Sequence, residues 1–131
     1  VTGLERHLMG CGTLAGGAVA LTVITWIADV RLINRALISC VGDLSGGESF
    51  AMFGLAILRA GDFAAICSTA CLVAWAVHWL CRPHVGDPLL WTLLALVVLA
   101  GPATLIVQGV AEHGIVDGCA APSWWPSWFP T

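Results

Sequence analysis

Four residues with reactive side chains fall along one helical face in the middle of this chain: Cys67, Cys71, His78 and Cys81, with Trp75 among them. Thiolates and imidazole are soft ligands suited to zinc, copper or haem. At 1.5 Å of rise per residue, however, Cys67 and His78 stand about 16 Å apart, too far to share one ion. Only His78, Cys81 and His84 can meet, which makes them weak metal candidates. Buried cysteines acting as small hydrophobes account for the same pattern. A paired-histidine haem site needs two imidazoles at equal depth, whereas His78 and His113 belong at opposite ends of the molecule. Thiol oxidoreductases carry Cys-x-x-Cys at a surface; Cys67 and Cys71 have helical spacing inside an apolar run instead. No cofactor is expected.

Other templates are missing. The sequence has no Gly-x-Ser-x-Gly, no phosphate-binding glycine loop before a helix and no His-Glu-x-x-His. Ser45-Gly-Gly-Glu-Ser is glycine-rich but follows no strand. A formal charge of −3 without a basic cluster argues against nucleic acid as a partner. These residues therefore point to no catalysis.

The elements that must position them are more informative. Of the 131 residues, 59% are hydrophobic and 10% charged, against roughly a quarter charged in soluble domains. Three apolar segments, Leu8–Val30, Asp62–Cys81 and Leu89–Val110, each approach the roughly 20 residues needed to cross a bilayer. The expected fold is all-α: a transmembrane three-helix bundle forming one integral membrane domain. Its spans are placed at about 8–30, 62–81 and 88–112, with a linker over 31–61 and a tail over 113–131. The first apolar run is longer than a signal-peptide core and no small-x-small site follows Trp26. Leu8-Met-Gly-Cys11 lacks an apolar stretch before its cysteine and is not read as a lipobox. An initial Val fitting a GTG start, together with arginine-only basic residues and no tyrosine, indicates a bacterial source.

Within the first span, Gly12, Gly16 and Ala20 have the four-residue spacing of close helix packing, expected against the protein's own second or third helix, with an oligomer contact as the alternative. Asp29, Arg31 and Arg35 are read as the exit into water. Ser45 and Glu48 have capping-box spacing before Phe50–Leu58, an apolar run too short to span. It is expected to form a short helix lying at the interface or an extramembrane extension of the second helix, in which case Arg59 would pair with Asp62. Asp62 is read as the N-cap of the second span, Arg82-Pro83 as its end, and Asp87-Pro88 as the opening of the third. Gly101-Pro102 should bend that span.

The tail carries Trp124, Trp125, Trp128 and Phe129 among prolines, an irregular segment suited to the headgroup region. With Trp26 they form one aromatic belt; Trp79 and Trp91 form another at the short turn. The membrane span polar groups are mainly Ser and Thr hydroxyls, which bond their own helix and offer no ion path. Arginine counts of two (Arg6, Arg82) against three (Arg31, Arg35, Arg59) leave orientation undecided; His7 and His84 favour a cytoplasmic N-terminus. Cys40 and Cys119 alone lie in polar segments on the tail side, where an extracytoplasmic compartment would allow a disulfide. The outer layer that the linker and tail form with the adjoining helix ends is acidic, with Asp29, Asp43, Glu48, Asp62, Glu112 and Asp117. The expected role is that of a non-catalytic accessory or scaffold subunit in the cell membrane, contacting lipid and either other membrane subunits or itself. The alternative is a small transporter, pore or redox protein using the Cys/His face.

Overall fold

The computed structural model describes residues 3–115 and 117–128, with backbone alone for 4–9. The side chains of Arg6 and His7, and Phe129, lie outside the described residues. The chain forms three helices, α1 (Gly3–Val41), α2 (Gly46–Cys81) and α3 (Asp87–Gly109), and α3 continues into a π-helical turn, Val110–Gly114. All three are long and apolar enough to cross a membrane, which defines a multi-pass membrane protein.

Both long helices exceed the spans expected from hydropathy. α1 runs on through 31–41 because no breaker intervenes and because this stretch is amphipathic. Ile33 and Ala36 are buried while Arg31 and Arg35 face out. Gly42, at φ 81°, is the first residue that turns the chain away. The start of α2 is set by Ser45, not Asp62. The Ser45 hydroxyl accepts from the Glu48 N–H at 3.3 Å, and the Glu48 carboxylate accepts from the Ser45 N–H at 2.7 Å. The segment Phe50–Leu58 is thus the first part of a continuous α2, an extension of the second helix and not a separate interfacial one. Asp62 is an exposed residue inside it. The long linker of 31–61 shrinks to a tight turn.

At the opposite end, Arg82 closes α2 by donating to the His78 carbonyl at 3.0 Å, and α3 opens with Gly86 as cap and Pro88 in its first turn. From Arg59 to Cys81 along α2 is about 33 Å, close to the hydrocarbon thickness of a bilayer. The 23 residues of α3 cover nearly the same distance. Beyond that distance α1, α2, the π turn and the tail make a cap.

Two clusters hold the bundle. In the cap, Ile33, Ala36 and Val110 are buried, with Met52 and Trp125 packed against them. Near the turn, Ala74 packs with Leu90 and Leu94, joining α2 to α3 only.

Candidate functional site

Where the cap meets the spans, Asp29 of α1 and Arg59 of α2 face each other with almost no access to solvent; Asp29 is 0% exposed. Arg59 Nε donates to Asp29 Oδ2 at 2.6 Å and Nη2 to Oδ1 at 2.9 Å, a bidentate fork. Nη2 also donates to the Leu105 carbonyl of α3 at 2.7 Å. That carbonyl lies in the last turns of α3, where the helix dipole presents its negative end to the cation. The fully buried Phe63 ring lies 5.6 Å from the guanidinium carbon. One side chain therefore ties all three helices together.

Glycine makes this possible. A Cβ built on Gly109 would meet the Arg59 guanidinium carbon at 2.6 Å and Asp29 Oδ1 at 2.7 Å, so α3 offers bare backbone here. A turn further on, a Cβ on Gly114 would sit 2.9 Å from that of Ala36. The π turn is thereby laid directly on α1. Taking two charges out of water costs several kcal/mol each, which only such geometry offsets.

Two expectations are overturned by this pair. Asp29 does not mark an exit into water, and Arg59 does not pair with Asp62. Positions one turn apart on a single helix were the nearest partners visible in sequence; Asp29 comes from another helix. The remaining acidic residues of the outer layer, Asp43, Glu48, Asp62, Glu112 and Asp117, are exposed. Glu112 accepts from Gln108 Nε2 at 2.9 Å.

Cys40, at the end of α1, and Cys119 of the tail form a disulfide with Cα atoms 5.8 Å apart. It fastens the tail over the cap core, where Trp125 stacks edge-on with Trp124 at 6.1 Å. Trp128 is exposed. Trp26 is half-buried and donates from Nε1 to the Ala56 carbonyl at 2.8 Å, so it links α1 to α2. Trp79 and Trp91 are exposed at the turn end.

The Cys/His face of α2 is divided among different surroundings. Cys67 is buried, 3.6 Å from the Thr25 hydroxyl of α1. His78 meets the Trp91 ring at 6.3 Å. His84 is exposed beyond Cys81. Among the described residues no group of three His, Cys, Asp or Glu side chains is placed to hold a metal ion. Thr22, Thr25, Thr69, Thr92 and Thr104 each donate to the carbonyl four residues back.

Gly12, Gly16 and Ala20 do not pack within the bundle. They are exposed, and a Cβ on either glycine meets nothing within 4 Å. The helices that should have received them lie on the other side of α1.

The fold and its buried ion pair thus define a polytopic all-helical membrane protein with a disulfide-fastened cap. No family model, curated protein or solved structure matches the chain.

Proposed function

We infer that this chain is a non-catalytic accessory or scaffold subunit of a bacterial membrane complex, with its N-terminus cytoplasmic and its cap extracytoplasmic. The observation that carries this reading is the fate of the buried charges. Asp29 and Arg59 satisfy each other and the Leu105 carbonyl, so these two charges are spent on architecture and not held free for a substrate or proton. The surface supports it too. Beyond the ion pair, Phe50, Phe53, Ile57 and Leu58 stand exposed on α2, with Phe50 at 78%. Five carboxylates are exposed in this outer layer, against Arg31 and Arg35. An exposed apolar stripe in an acidic outer layer suits a neighbouring membrane subunit or a second copy.

The same features support the proposed orientation. Pairing withdraws Arg59 from the arginine count, leaving the two sides level, and a disulfide in the cap favours an oxidising compartment. The rival transporter, pore or redox reading relies on the Cys/His face of α2. Purification in mild detergent separates the two. Proteins recovered in fixed stoichiometry support the scaffold; metal or haem absorbance, or solute flux in liposomes, overturns it.

A further inference from the structure

Toward the turn the helices part, and the space between them forms a groove of about 650 Å³. Gly10 and Gly17 of α1, Cys71 and His78 of α2, and Trp91 and Val98 of α3 mark its limits. Each helix contributes about 10 Å of wall, or two turns. α1 presents bare backbone to it: a Cβ on Gly10 or Gly17 meets nothing within 4 Å. The size is that of a pocket for a small ligand, and the walls are almost wholly apolar.

The shape selects the occupant. The groove is closed toward the cap where Cys67 of α2 meets the Thr25 hydroxyl of α1 at 3.6 Å and Ile66 of α2 would lie 3.3 Å from a Cβ on Gly101 of α3. A transmembrane helix from a partner is about 10–12 Å wide and would have to continue past that barrier. A hydrocarbon chain that ends partway down does not. The rim supplies polarity in the right order. His78 stands one turn below the helix end, half-buried, and among the described residues its ring nitrogens meet no hydrogen-bond partner. Arg82 and His84 lie exposed in the turn above it.

We propose that this groove binds one glycerophospholipid of the turn-side leaflet. Its acyl chains lie against Gly10, Gly17 and Val98, an ester carbonyl accepts from His78, and its phosphate faces Arg82. The site is independent of the accessory role, since it lies at the other end of the molecule from the cap.

The test is native mass spectrometry of the full chain, released from detergent after titration with phosphatidylglycerol. The wild type should hold a single lipid. Gly17→Leu fills the groove from a position with free space and should weaken binding about tenfold. Gly12→Leu, on the opposite face of α1, should leave it unchanged. Arg82→Gln should weaken phosphatidylglycerol binding but leave diacylglycerol binding as it was. Circular dichroism establishes that each variant is folded. Equal adducts in the wild type, Gly17→Leu and Gly12→Leu overturn the proposal, as does the absence of any adduct. Displacement of the lipid by an isoprenoid quinone, or a dimer that excludes lipid, overturns it as well.

Discussion

The two ends of this bundle are built on opposite principles. At the cap, three helices and a tail converge through a bidentate ion pair, a disulfide and two glycines, Gly109 and Gly114, that leave room for the side chains packed on them. At the turn, α2 and α3 pack together while α1 stands away, its glycines facing open space. Gly109 and Gly114 thus mean contact at one end, and Gly10 and Gly17 vacancy at the other. In a membrane this contrast has a physical basis. Apolar surfaces gain little by leaving lipid for one another, so helices separate unless polar bonds or close packing hold them. The cap end has both.

Perturbations graded by size sharpen the contrast. Removing one partner of the ion pair, as in Arg59→Met, leaves a buried carboxylate without compensation and should cost about 3–5 kcal/mol. Thermal unfolding in detergent, followed by tryptophan fluorescence, reads this as the largest drop in Tm. Cys40→Ser, or reduction of the wild type, releases a cross-link between positions 79 apart and should cost about 2–4 kcal/mol. Partial proteolysis should then cut the tail first. Gly109→Ala forces the guanidinium off α3 and should cost about 1–3 kcal/mol. At the turn end the same substitution changes sign: Gly10→Ala meets no atom and should stabilise α1 by up to about 1 kcal/mol. Equal effects of Gly109→Ala and Gly10→Ala would erase the distinction between the ends.

The parts legible in the sequence were those written in local chemistry. Ser45 with Glu48, and Asp87-Pro88, announce helix starts because a cap needs only neighbours. Cys40 and Cys119 were identifiable because the other cysteines fall in apolar runs. Helix lengths were misjudged where charge was equated with water. Asp29, Arg31 and Arg35 look like an exit from the membrane, yet Arg31 and Arg35 sit on the outer face of a helix whose inner face carries Ile33 and Ala36. That spacing, unbroken up to Gly42, was the available signal. The ion pair itself was hidden, because its partners come from different helices and its third contact is a backbone carbonyl. Gly109 carried no local mark of its role either. Its importance appears only once Arg59 is seen lying against it.

The mutual attraction of Asp29 and Arg59 clamps the three helices at the cap end. A double-mutant cycle tests it most directly, with unfolding of Asp29→Leu, Arg59→Leu and the double variant measured in the same detergent. Each single variant should lose about 3–5 kcal/mol, and the double should lose less than their sum by about 2–3 kcal/mol, since neither charge is then stranded. A double variant whose loss equals the sum of the two singles would show the charges acting independently, and would contradict the clamp.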